Sequence, residues 1–293
     1  MVTQLDQASG LRAIAESIRK VEVNVQVIAV SSGKGGVGKT NVVANLAVAS
    51  AQQGRRVMIM DADLALGNLD VLLGLNPSFT LEDVLQGHRE LAEVIVNGPQ
   101  GVKILPATSG AQDLTALTND QQIRLQQGFV ELANPPDLLL IDCAAGISSN
   151  VLYFSLVANE TIVVVTPEPT SLTDAYALIK VLSTRYQQKR FRILTNMSKN
   201  AKEGRDVFRK LTKVTDRFLN ISLDWAGLIP FDENLPLSVC QQKAVVEAFP
   251  KSASSRSFAE VSTRIDQWRD EQSMPGGLQL FGPSIFWSPL EGV

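Results

Sequence analysis

The chain has 293 residues, and 27 Lys+Arg against 30 Asp+Glu leave a formal net charge of −3 at pH 7, a balance that does not favour direct nucleic acid binding. At 45% hydrophobic and 19% charged residues, it is too apolar for a disordered chain and long enough to bury a large α/β core. Two cysteines, Cys143 and Cys240, and one histidine, His88, exclude a disulfide framework, a four-thiolate metal site and a multi-histidine metal site within one chain.

Residues 4–20 read as an amphipathic helix, with Leu5, Ala8, Leu11, Ile14, Ala15 and Ile18 on one face. It is either a helix docked on the main body or an arm for a partner protein, so residues 1–24 are set apart. Asp6 precedes any Lys or Arg, and no apolar run approaches the roughly 20 residues of a membrane span. A cytoplasmic protein is the expectation.

A repeating pattern begins at Val25. Short β-rich runs recur at 25–30, 57–60, 102–105, 138–141, 161–165, 191–194 and 225–229. Helical stretches at 41–53, 174–186 and 203–219 separate several of them. Strands apolar on both faces that alternate with helices predict an α/β fold. Its mostly parallel sheet has about seven or eight strands with helices on both faces. One domain over 25–272 results, closed by an amphipathic helix at 257–272 with Phe258, Val261, Ile265 and Trp268 on one stripe. Pro275, Gly276 and Gly277 break the chain, and 273–293 forms a Pro/Gly-rich aromatic tail with no Lys or Arg to attract anionic lipid.

The strongest chemical signal is Gly33-Lys34-Gly35-Gly36-Val37-Gly38-Lys39-Thr40. It fits the phosphate-binding P-loop G-x-x-x-x-G-K-[ST], directly after a predicted strand and before a predicted helix. The glycines let backbone N–H groups converge on phosphate oxygens, and the helix starting near Lys39 adds its positive end at Thr40 and Asn41. Lys39 suits the β- and γ-phosphates, and Thr40 offers a hydroxyl to Mg²⁺. The run 138–141 leads into Asp142, the pattern of a Walker-B carboxylate that holds Mg²⁺ through water. The run 57–60 leads into Asp61 and Asp63. Ligands of open parallel sheets sit beyond the carboxyl ends of the strands, so all three aspartates should face the phosphates. With His88 in a loop-like surface context, hydrolysis must rest on positioning and charge. Asp63 is the candidate for orienting water and, with Thr40 and Asp142, for holding Mg²⁺, the aspartates through water; Lys34 and Lys39 are the cationic groups.

Lys34, just after the first glycine, resembles the deviant Walker A lysine of the MinD/ParA family. The resemblance continues through Asp61-Ala62-Asp63 with 67–70, which is similar to the family's switch I, and through 142–147, similar to switch II. Ala65 stands where the family commonly has glycine. Segments 169–176, 211–218 and 244–250 resemble the family's flagellar-number branch, the FlhG/FleN proteins. Asp6, Gln7, Ala8, Leu11 and Arg12 match that branch's DQAxxLR element. The resemblance implies a homodimer formed on ATP and Mg²⁺, with Lys34 reaching the partner's nucleotide, slow hydrolysis to ADP, and Asn196 and Pro230 near adenine. It also implies an FlhF-type GTPase bound through residues 6–12, a FleQ-type transcription activator restrained by the dimer, and a place at the inner membrane or cell pole. A division-site or cargo-positioning ATPase and a non-hydrolysing binding module are the alternatives.

Overall fold

The apolar runs of the sequence become the strands of one sheet, because each is flanked on both faces by helices that bury it. The structure is a computed structural model; it describes residues 25–64, 67–107 and 116–270. The arm positions Asp6, Gln7, Ala8, Leu11 and Arg12, the loop residue Ala65 and the tail 273–293 lie outside the described residues.

The strands are β1 (Gln26–Ser32), β2 (Val57–Ala62), β3 (Val96–Asn97), β4 (Lys103–Leu105), β5 (Leu138–Ala145), β6 (Glu160–Val165), β7 (Arg190–Ser198) and β8 (Ser222–Pro230). The helices are α1 (Lys39–Gln52), α2 (Leu69–Leu73), α3 (Leu81–Gln86), α4 (Leu91–Val94), α5 (Asn119–Val130), α6 (Ser149–Val157), α7 (Pro169–Tyr186), α8 (Ala201–Phe218), α9 (Asn234–Cys240), α10 (Val245–Ala248) and α11 (Ala253–Asp270). The sheet order is β3-β4-β2-β5-β1-β6-β7-β8, parallel throughout except for the antiparallel β3–β4 pair. The chain therefore places β1 centrally, between β5 and β6, and leaves β8 at an edge.

Alternation along each strand divides the core into two layers. Ala29, Met60, Ile141, Val163 and Ile193 face α3–α8, whereas Val30, Ile59, Leu140, Val164 and Leu194 face α1, α10 and α11. Helix α11 is fixed to the second layer by Phe258, Val261 and Ile265, all buried. Polar contacts set its register: Gln26 Nε2 donates to the Ile265 carbonyl at 2.9 Å, and the Ser50 and Ser262 hydroxyls meet at 2.7 Å. Near its end, Trp268 stacks 4.6 Å from the Arg192 guanidinium, which also pairs with Glu160 at 3.1 Å.

Two expectations change. The strand into Asp142 does not end there, because β5 runs on to Ala145. Asp61 likewise lies within β2, directly opposite Asp142 in the parallel pairing. Both carboxylates are thus held by sheet backbone rather than by solvated strand ends.

Candidate functional site

The glycine-rich loop leaves β1 at the centre of the sheet and enters α1 with Gly38 as its N-cap, at φ 84° in the left-handed region. A side chain there would also meet the Asn196 amide at 2.7 Å. At Gly33 the constraint is contact: a Cβ would lie 2.1 Å from the Asp174 carbonyl carbon, so the loop can lie against α7 only without one. Val37 is buried, and its carbonyl accepts from Asn196 Nδ2 at 2.8 Å. Gly35 and Gly36 are exposed, and Thr40 and Asn41 occupy the first turn of α1, whose N–H groups have no partner within the helix.

The two lysines of this loop behave differently. Lys39 is largely buried; desolvation lowers its pKa, while Asp142, Cys143 and Asp63 oppose that shift. Lys34 instead lies outside the cradle, where its Nζ meets Glu168 Oε2 at 2.6 Å and Thr170 Oγ1 at 3.1 Å. Its side chain is 38% exposed and that of Glu168 61%. Glu168 is the N-cap of α7, ahead of Pro169 in the first turn.

Asp142 is buried, and burial lifts its carboxyl to about 7 against the opposing pull of the Thr40 hydroxyl and Lys39. Its Oδ1 has no hydrogen-bond partner. A buried, unpartnered carboxylate oxygen beside a threonine hydroxyl is a hard-oxygen donor set of the kind Mg²⁺ takes, with water completing the shell. These residues fit the metal. Asp61 is also raised by burial and by Asp142; its Oδ1 accepts from Asp63 N at 3.1 Å and its Oδ2 from Leu69 N at 3.4 Å. Asp61 thus shapes the turn that carries Asp63. Cys143 is buried and its thiol is pushed up to about 12, which keeps it protonated and unsuited to bind metal as thiolate.

Asn196 and Pro230 come to the other side of the loop, at the ends of β7 and β8. The Asn196 amide is committed to backbone at both ends, donating to Val37 O and accepting from Met197 N at 2.9 Å. Met197 is 41% exposed and adopts φ 56°. His88 follows Gly87, the left-handed cap of α3, and is exposed. Sequence reasoning missed Glu168 and Thr170 as partners of Lys34. The local signal for Glu168 was a carboxylate just before a proline that starts a helix.

The sequence profile of the ParA family, described as the NUBPL iron-transfer P-loop NTPase, matches residues 23–266. The antiactivator FleN of Pseudomonas aeruginosa is 50% identical over 92% of this chain and 96% of its own length. The flagellum site-determining protein YlxH of Helicobacter pylori is 30% identical over 82% of this chain and 81% of its own. The septum site-determining protein MinD of Pyrococcus horikoshii, complexed with Mg-ADP, has a TM-score of 0.68 at 27% identity, covering 86% of this chain and 100% of that one. With the glycine loop at the head of α1 and two buried carboxylates facing it, the chain belongs to the ParA family of P-loop NTPases and has its MinD-like fold.

Proposed function

We propose that the chain is an ATP-dependent dimerisation switch that regulates flagellar number and placement. It is an ATPase that uses ATP and Mg²⁺, as its membership of the NTPase family and its Mg-ADP-bound MinD relative support. The flagellar reading rests on the likeness to FleN and YlxH.

In this mechanism the N–H groups of residues 35–41 donate to phosphate oxygens, and the buried Lys39 ammonium neutralises them. Mg²⁺ would be held by the Thr40 hydroxyl and the Asp142 carboxylate and would supply positive charge to the phosphates. Asp63 orients the attacking water on the turn braced by Asp61. The protein makes no covalent bond to the nucleotide, so rate comes from placement and charge.

The observation that carries the switch is the placement of Lys34. One loop sends Lys39 toward Asp142 and leaves Lys34 outside, held by an exposed pair with Glu168 and a hydrogen bond to Thr170. Such a pair contributes about 0–1 kcal/mol, so a second subunit's phosphates can displace it. Exposed Val71, Ile147 and Leu237 belong to segments after the carboxyl ends of strands, where a second copy would cover them. Partners read the dimer: an FlhF-type GTPase through Asp6–Arg12, and a FleQ-type activator that the dimer restrains.

Light scattering with ADP and with a non-hydrolysable ATP analogue tests this. The parent should be monomeric with ADP and dimeric with the analogue, and Lys34→Ala should stay monomeric in both. A Lys34→Ala variant that dimerises like the parent would sink the cross-subunit role.

A further inference from the structure

Resting on the nucleotide site proposed above, we infer that Asp232 is a positioning residue that fixes the base-side loop relative to the phosphate loop and thereby sets base selectivity. The placement of the three aspartates gives the nucleotide a direction. Asp61, Asp63 and Asp142 follow β2 and β5, on one side of β1; Asn196, Met197, Pro230 and Phe231 follow β7 and β8, on the other. A nucleotide whose terminal phosphate faces the aspartates therefore extends its nucleoside toward β7 and β8. Exposed apolar side chains stand there, Met197 at 41% and Phe231 at 63%, as a planar base would require.

Those side chains sit on an edge. Beyond β8 there is no further strand in the described sheet, so the loop after Pro230 has a neighbouring strand on one side only. On that side Phe231 N donates to Ser198 O at 2.9 Å. The other anchor is the Asp232 carboxylate. Its Oδ2 accepts from Ser254 N at 2.9 Å and from Ser254 Oγ at 2.7 Å, and its Oδ1 accepts from Asn234 N at 3.0 Å and Asn234 Nδ2 at 2.9 Å. Partial burial opposes ionisation, but these donors with Ser252 hold the carboxyl well below the usual carboxylate range. The charge also lies at the N-terminus of the 18-residue helix α11, where the helix dipole favours an anion.

Helix α11 makes this anchor relevant to the phosphate loop. Further along, the same helix binds α1 through Ser262, whose hydroxyl meets Ser50 at 2.7 Å and Gln53 Oε1 at 2.9 Å. Helix α1 begins at the phosphate loop. These contacts lie at the last turn of α1, so α11 joins the base-side loop to the helix that carries the phosphate loop at its other end, and Asp232 is the joint at the base end. Without it the loop loses its side-chain tie to α11, and Ser254 N loses its acceptor. The phosphate cradle, Asp63 and Asp142 are untouched.

Steady-state hydrolysis of ATP and of GTP by the full chain tests this, for the parent, Asp232→Ala, Asp232→Asn and Ser254→Ala. Asp232→Ala, which removes the four hydrogen bonds of this carboxylate, should raise KM for ATP about tenfold with kcat within about twofold. The ATP-over-GTP ratio of kcat/KM should fall about tenfold. Asp232→Asn, which keeps one acceptor oxygen, should fall between, and Ser254→Ala should shift the ratio less in the same direction. Ser254→Ala keeps the Ser254 N–H donor and carries the test if Asp232→Ala does not fold. A parent that prefers ATP, with folded variants that keep its ratio or lose kcat alone, overturns the inference. A parent that hydrolyses no ATP overturns the underlying site reading, and this inference with it.

Discussion

Asp142 shows how the site is prepared at the cost of stability. Its carboxyl is lifted by burial to about 7, and Asp61 opposite it is also raised by burial. Between an ordinary carboxylate value near 4 and about 7, the nucleotide-free folded protein therefore binds more protons than the unfolded chain. Its stability must fall as pH rises through that window. Scanning calorimetry of the nucleotide-free protein at pH 5 and pH 8 should give a lower Tm at pH 8. Asp142→Asn should raise the pH 8 value by roughly 2–5 °C and narrow the gap. An equal gap in parent and variant would show that burial of this carboxylate does not control it. Legibility at this scale followed sequence distance. The loop 33–40 could be read because its cradle is contiguous, and Asp142 and Asp61 because each ends an apolar run. Glu168 and Asp232 could not, because their partners lie 134 and 22 residues away and only the fold joins them.

At the scale of elements, four of the long helices were found, whereas the 12-residue α5 and the short ones were lost. Helices α7, α8 and α11 repeat an apolar stripe over several turns; α1, buried on all sides, was legible from the glycine loop before it and Gly54 after it. Helices α2, α3, α4, α9 and α10 span four to seven residues, shorter than the window in which a 3.6-residue period can be told from chance. Helix α6 was missed for the opposite reason: its apolar residues surround it, and Val151, Leu152, Phe154 and Val157 are all buried. Strand β3, two residues long and antiparallel, has no sequence pattern to offer. Among the legible elements α11 bears most on stability, since it closes one face of the sheet. Phe258 is fully buried in that contact, and Phe258→Ala should cost about 3–5 kcal/mol. Urea unfolding checks this through the midpoint; a loss below about 1 kcal/mol would mean that α11 is not part of the cooperative core.

For the whole molecule, the sheet and its layers were legible; the arm and the tail lie outside the described residues. Among the described residues no helix is long and apolar enough to cross a membrane. Deleting residues 1–24 should leave basal ATP hydrolysis within about twofold and abolish stimulation of an FlhF-type GTPase, since the site residues all lie beyond Val25. A GTPase assay with the truncated chain that still shows full stimulation would place the contact on the body instead.

The central position of β1 also governs how the chain must be made. Its parallel partner β5 lies about 110 residues further along, and its other neighbour β6 later still. At the usual 5–20 residues per second of ribosomal synthesis, this strand, wholly buried in the finished fold, waits on the order of 6–20 s without a hydrogen-bonding neighbour. The nucleotide cannot template folding until translation has passed β5, because the loop it binds and the carboxylate facing that loop emerge at opposite ends of this interval.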